Sequence, residues 1–360
     1  MTRPIHGGNL NWAAQLAGCS PSVILDFSAS INPLGPPESA ISAIQRGLSR
    51  LKHYPDPNYS QLRATIGAWH DLAPDWILAG NGAAELLTWV GRELAELDTV
   101  YVLKPGFRDY KRALEAFGAK ITSCPLDVAG MLENPTQKQS LGLDLPASQN
   151  CGLLLNNPHN PTGQLFSRAE ILPYLDQFAL VVIDEAFMDF LRPQDQESLI
   201  ADVVNYPNLV VLRSLTKFYS LPGLRIGYAV AHPQRLQQWQ NWRDPWSVNS
   251  LAEDAALAVI EDTAFQEKTW TWLETARSRF AQDLKRIPHL SPLPTAANFF
   301  LVATKIPASQ LQAQLLKQSQ ILIRDCLSFP ELGEDYFRIA IRHPEENRKL
   351  YQALFAVTSD

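Results

Sequence analysis

The sequence predicts an α/β protein, with a large domain on a mostly parallel central sheet sandwiched by helices and a smaller α+β domain beside it. Between about residues 75 and 230, short apolar runs alternate with amphipathic helical stretches, the rhythm of strands joined by crossover helices. The runs at 99–103, 153–155, 180–183, 209–212 and 226–229 are the expected strands. A long helical stretch, roughly 252–286, then meets a proline-rich break at Pro288, Pro292 and Pro294. Beyond it, the runs 299–302 and 337–341 read as strands of the smaller unit. At 360 residues and 40.2 kDa the chain can bury the cores of two domains.

Each segment has its own reason. Ala79-Gly80-Asn81-Gly82-Ala83-Ala84-Glu85 is a glycine turn that opens a helical pattern of Leu86, Leu87 and Val90. Gly82, Ala83 and Ala84 then bring backbone N–H groups to a helix N-terminus, which is an anion site. Lys104-Pro105-Gly106-Phe107-Arg108-Asp109-Tyr110 follows the run at 99–103, and residues 133–150 are polar and turn-rich, a surface excursion. The run 153–155 leads into Asn156-Asn157-Pro158-His159-Asn160-Pro161-Thr162-Gly163, all turn chemistry. Val181-Val182-Ile183 ends in Asp184, a carboxylate at the C-terminal end of a strand. The run 209–212 delivers Lys217 into a polar turn, followed by Pro222-Gly223-Leu224-Arg225.

Lys217 carries the most information. An amine there can form a Schiff base with an aldehyde. Ser214, Thr216 and Arg225 can hold a phosphate through hydroxyl donors and a charge-assisted fork. Aldehyde and phosphate on one small molecule describe pyridoxal phosphate (PLP). Asp184 can pair with its pyridine nitrogen and keep it protonated, which makes the ring an electron sink. Asn160 can donate to its phenolic oxygen.

Composition narrows the partners. A net charge of −6 and the lack of a long Lys/Arg run argue against nucleic acid. The start has no apolar core of signal-peptide length and no run approaches a membrane span, so a cytoplasmic enzyme is expected. Cys19, Cys124, Cys151 and Cys326 are scattered, without the spacing of a metal site, and read as buried or incidental thiols.

In order along the chain, Asn160-Pro161-Thr162-Gly163, Asp184-Glu185-Ala186, Ser214-Leu215-Thr216-Lys217 and Gly223-Leu224-Arg225-Ile226-Gly227 resemble the fold-type I PLP-dependent enzymes. These form the aspartate aminotransferase superfamily, and the likeness is greatest to its histidinol-phosphate aminotransferase branch. Three further segments are similar to the threonine-phosphate decarboxylases of cobalamin biosynthesis. They are His6-Gly7-Gly8-Asn9, Leu25-Asp26-Phe27-Ser28-Ala29-Ser30-Ile31-Asn32-Pro33-Leu34-Gly35 and Pro245-Trp246-Ser247-Val248-Asn249. The resemblance runs from His6 to about Arg342.

That resemblance implies the PLP-dependent transferase fold type I, with a PLP-binding domain at 45–255 and a discontinuous small domain at 1–44 and 256–360. It implies a homodimer with shared active sites, in which Tyr54 reaches the cofactor phosphate of the neighbouring subunit. Phe107 sits where relatives stack an aromatic ring over the pyridine. Arg338, alone in an otherwise apolar strand, takes the substrate carboxylate, and Arg324 takes a substrate phosphate. His6, on the flexible Gly7-Gly8, closes over that phosphate, and Ser30 and Asn160 touch substrate. From its residue type alone Arg342 reads either as a reserve anion partner, ranked below Arg324 and Arg338, or as a solvated charge. The implied reaction is decarboxylation of L-threonine O-3-phosphate, with transamination of histidinol phosphate or a related phosphorylated amine as the alternative. Two positions depart from pattern: Phe187 stands where many aminotransferases have a tyrosine, and Ser30 where a longer amide is expected. The cofactor motifs alone do not separate the two reactions.

Overall fold

The apolar runs become the middle of one seven-stranded sheet. A computed structural model describes residues 3–133, 141–142 and 148–359. Across the sheet the strands run Ile77–Gly80, Gly227–Ala231, Leu209–Ser214, Phe178–Asp184, Ser148–Asn156, Thr99–Lys104 and Ile121–Pro125. Gly227–Ala231 is antiparallel to both of its neighbours, and every other pairing is parallel. Side chains alternate between two apolar layers: Leu153, Val181, Ile183 and Val211 pack into one, Leu154, Leu180, Val182 and Val210 into the other. Both faces are covered, which is why these strands read as unbroken apolar runs rather than as alternating ones. Register sets Asn156 beside Asp184 and Asp184 beside Leu212, so neighbouring strand ends release their polar residues along one edge.

A second sheet is antiparallel, in the order Arg324–Asp325, Tyr336–Ala340, Phe299–Thr304, Leu290–Pro292. The N-terminal segment joins this part of the molecule. Leu25–Asp26 pairs in parallel with Ile321–Leu322, Phe27 donates its N–H to the Leu322 carbonyl (2.8 Å), and Ala340 donates to the Phe27 carbonyl (2.8 Å).

Three expectations need correction. The stretch 252–286 is two helices, Ser250–Ile260 and Thr263–Leu284. Asp262 ends the continuity by accepting from the Phe265 N–H at 2.9 Å as an N-cap. Both helices bury apolar residues, so periodicity carried across the break and hid it. The strand expected at 153–155 begins at Ser148, because backbone pairing with Phe178 and Leu180 extends it beyond its apolar centre. Ser148, Gln149 and Asn150 therefore belong to the sheet, while 134–140 and 143–147 of the expected excursion lie outside the described residues. Lys217 sits on a one-turn helix, Leu215–Phe218, rather than in an irregular turn. No helix among the described residues is long and apolar enough to cross a membrane.

Candidate active site

The strand ends and one helix N-terminus assemble a first cluster. The strand Leu209–Ser214 passes directly into the Leu215–Phe218 turn of helix, which places the Lys217 amine 3.2 Å from Ser214 Oγ. Ser214 Oγ and Thr216 Oγ1 are 2.7 Å apart. Burial holds the Lys217 amine below its ordinary pKa, with Asp184 opposing and Arg225 and Arg338 adding to the fall. A larger neutral fraction makes this amine a better nucleophile.

Asp184 ends the next strand and is buried. One carboxylate oxygen accepts from the Tyr110 phenol at 2.7 Å, the other from the Ala186 N–H at 3.0 Å. Its carbonyl accepts from Asn156 Nδ2 (2.7 Å) and from the Asn157 N–H (3.0 Å). Burial pushes its carboxyl up, and the Tyr110 hydrogen bond and the Lys217 charge pull against that. Behind it, Arg213, next to Ser214 in sequence, is buried between Asp189 and Glu185 (2.9 Å), the residue that follows Asp184. Such a pair is costly to break, because removing one partner strands a buried charge.

The glycine turn builds an anion cradle. Gly82 has φ +74°, and a Cβ there would come within 2.5 Å of the Arg225 guanidinium. A Cβ on Gly227 would meet the Arg213 carbonyl at 2.6 Å and the Ala83 nitrogen at 2.9 Å. Two glycines thus let Arg225 and the start of helix Ala83–Leu94 share one small space. The N–H groups of a first helical turn have no intrahelical acceptor, and with Arg225, Ser214 and Thr216 they fit a phosphate.

Opposite this cluster lies a pair of arginines. Arg324 and Arg338 face each other in register on adjacent antiparallel strands. Arg338 donates to Asn160 Oδ1 (2.5 Å) and to the Ser28 carbonyl (3.2 Å), while its buried Nε has no partner among the described residues. Burial, reinforced by Arg324, lowers its pKa to about 10. Arg324 donates to the carbonyls of Pro4 (3.2 Å) and Ile5 and to Ser328 Oγ. Lys217, Asn160, Phe187, Arg324, Arg338 and His6 all border one cavity of about 250 Å3.

The N-terminal segment presses onto that cavity. A Cβ on Gly7 would meet the Ser28 carbonyl at 2.2 Å, and the Gly8 N–H donates to Ser28 Oγ at 2.8 Å. The His6 ring lies 5.8 Å from that of Phe107, and burial holds its imidazole below the usual value. Ser30 Oγ is buried in the cavity wall with no partner among the described residues. Phe187 packs edge-on to Phe299 at 5.1 Å, its ring 5.4 Å from the Lys217 amine.

Two expected residues stand apart. Tyr54 is 78% exposed and stacks on Trp246 at 4.5 Å, outside the cavity of its own chain. Arg342 forks onto Glu346 at 3.0 and 3.1 Å and does not border the cavity, so it is no reserve anion partner here. Its neighbour four positions on already neutralises it. Sequence reasoning gave no role to Tyr110 or Asn156. Tyr110 follows Phe107 by one helical turn on the same face, a spacing that was legible; the hydrogen bonds of Asn156 were not.

Residues 22–354 match the family described as Aminotransferase class I and II. The threonine-phosphate decarboxylase of Salmonella typhimurium is 38% identical over 355 residues, covering 97% of this chain and 95% of the relative. The histidinol-phosphate aminotransferase of Symbiobacterium thermophilum is 33% identical over 352 residues, covering 94% and 91%. The crystal structure of L-threonine-O-3-phosphate decarboxylase from Porphyromonas gingivalis superposes with a TM-score of 0.82 at 26% identity, over 93% of this chain and 99% of that one. With a lysine, a buried carboxylate and an anion cradle placed as above, the chain belongs to the class I and II aminotransferase family of PLP-dependent enzymes.

Proposed function

We propose that the protein decarboxylates L-threonine O-3-phosphate to (R)-1-amino-2-propanol O-2-phosphate and CO2, in the cytoplasm, as a step of cobalamin biosynthesis. The observation that carries this reading is the facing pair Arg324 and Arg338 on one cavity with Lys217. Two fixed cations suit a substrate with two anionic ends, a carboxylate and a phosphate. Histidinol phosphate has no carboxylate and by itself fills one arginine only, the other being left to the keto acid of the second half-reaction, whereas threonine phosphate fills both at once. The 38% identity to a threonine-phosphate decarboxylase supports the same reading.

PLP, when bound, supplies an electron sink conjugated to the substrate nitrogen. Lys217 holds the cofactor at rest, yields its place to the substrate amine, and is left as a free amine beside Cα. Arg338 fixes the carboxylate, with Asn160 braced against it. If Arg338 sets the carboxylate for departure, the bond from Cα to the carboxylate would break with loss of CO2, its electron pair passing to the sink that the bound cofactor would supply. Asp184 would hold the ring nitrogen of the cofactor and keep it protonated, which stabilises charge developing at Cα. Lys217, having taken the proton that the incoming substrate ammonium must lose, would return it to Cα as ammonium. Arg324 and His6 hold the phosphate, Ser30 offers a short hydroxyl to substrate, and Phe107 covers the ring. Gly82, Ala83, Ala84, Ser214, Thr216 and Arg225 hold the cofactor phosphate.

Tyr54 completes that cradle from a second subunit; its exposure beside Trp246 suits a residue covered by a partner. The reading keeps a large unit at 45–255 and a small one from 1–44 and 256–360, supported by the separate sheets and the Leu25–Asp26 pairing. The test is to give the holoenzyme threonine phosphate with and without a keto acid. Stoichiometric CO2 release without a keto acid is the expected result. Keto-acid-dependent amine transfer without CO2 would instead favour the aminotransferase reading, which the 33% identical relative keeps in view. Mixing Tyr54→Ala with Lys217→Ala subunits should restore some activity, since one site of the heterodimer is then intact.

A further inference from the structure

We infer that Tyr110 is a positioning residue, whose phenol holds the Asp184 carboxylate and keeps the proton of the cofactor contact on the ring nitrogen rather than on Asp184. The inference rests on Asp184 being the partner of that nitrogen. Tyr110 is buried on the first turn of the helix Arg108–Glu115, three residues after Phe107. Its hydroxyl is 2.7 Å from Asp184 Oδ2, and its ring meets that of Phe107 edge-on at 5.5 Å. One side chain therefore touches both the carboxylate and the aromatic ring expected over the cofactor.

The rest of Asp184 is already fixed. The Ala186 N–H takes Oδ1, and Asn156 and Asn157 take its carbonyl. Tyr110 supplies the remaining constraint on the carboxylate. The charged and titratable groups acting on Asp184 are Tyr110, Lys217 and Asp109. Burial and the Asp184 charge push the phenol well above its usual value, so it stays protonated and remains a donor. A donor on a carboxylate makes it a weaker base. A weaker base leaves the proton with the ring, where its positive charge draws electrons from the breaking bond. Without the phenol, Asp184 becomes the stronger base and the ring the poorer sink.

The test is Tyr110→Phe in the holoenzyme, which removes one oxygen and keeps the ring against Phe107. We expect kcat for threonine phosphate to fall about tenfold or more, the effect of losing one charge-assisted hydrogen bond. KM and PLP affinity should stay close to wild type, because neither the arginines nor the phosphate cradle is touched. The visible absorption of the cofactor-loaded protein should titrate at a higher pH, since a less positive ring repels the nearby proton less. A fluorinated tyrosine at position 110, a stronger donor of the same shape, should move that midpoint the opposite way. It also keeps the test alive if Tyr110→Phe folds poorly. In an Asp184→Asn background, Tyr110→Phe should add little. Unchanged kcat and midpoint in Tyr110→Phe, or midpoints that ignore the fluorinated residue, would overturn the inference. If Asp184→Asn itself kept full kcat, the reading of Asp184 would fall instead, and the Tyr110 role with it.

Discussion

The two halves of the site are held together in different ways. The cofactor half is built from strand ends that lie side by side in one sheet, with Asp184, Ser214 and Lys217 within two adjacent strands and the turn that follows. Its polar groups bond to one another or to backbone that the sheet already fixes. The substrate half is closed by segments far apart in sequence: Arg324 reaches the Pro4 carbonyl, and Arg338 reaches Asn160 and the Ser28 carbonyl. Those bonds engage Arg324 and part of Arg338, whose Nε has no partner among the described residues. A half fixed by neighbouring strands serves chemistry that tolerates little movement. A half closed by a terminal segment depends instead on packing between parts of the chain far apart in sequence.

The sharpest way to break this comparison is at the fixed half. Lys217→Ala should lower turnover by several orders of magnitude, because exchange with substrate and proton return both need the amine; near-normal turnover would refute its role. Asp184→Asn should come next, reducing kcat far more than PLP affinity, since the phosphate cradle stays whole. A collapse of PLP binding with full activity in the residual holoenzyme would contradict that. At the adaptable half the losses should be smaller and should sort by substrate. Arg338→Ala should cost about a hundredfold or more in kcat/KM on both threonine phosphate and threonine, since both carry the carboxylate. Arg324→Ala should cost about ten- to a hundredfold on threonine phosphate and little on threonine. Equal losses on the two substrates would show that Arg324 does not read the phosphate. His6→Ala should act in the same direction more weakly, because a terminal segment must first be ordered, an entropic cost that offsets its contact.

Strand identity and the positions of the candidate cofactor residues were legible for the same reason. A strand buried on both faces must be apolar along its length, and the candidate catalytic groups follow where that run stops, as Asp184 and Lys217 do. The helix break at Glu261–Asp262 was not legible, because an N-cap acts through one hydrogen bond while the apolar period continues past it. Arg342 illustrates the opposite failure. Its residue type and position suited an anion, yet Glu346 had already taken it.

The sequence by itself determined the fold class, the PLP chemistry and the ordered set from Gly82 to Arg225, because each of these depends on residue type and local spacing. Tertiary structure alone decided that Arg324 stands opposite Arg338 and that the N-terminal carbonyls occupy Arg324. It also decided that Tyr110 donates to Asp184. These contacts join residues from 14 to 320 positions apart. At such distances no local periodicity constrains the pairing; strand register and the packing of one segment over another set it.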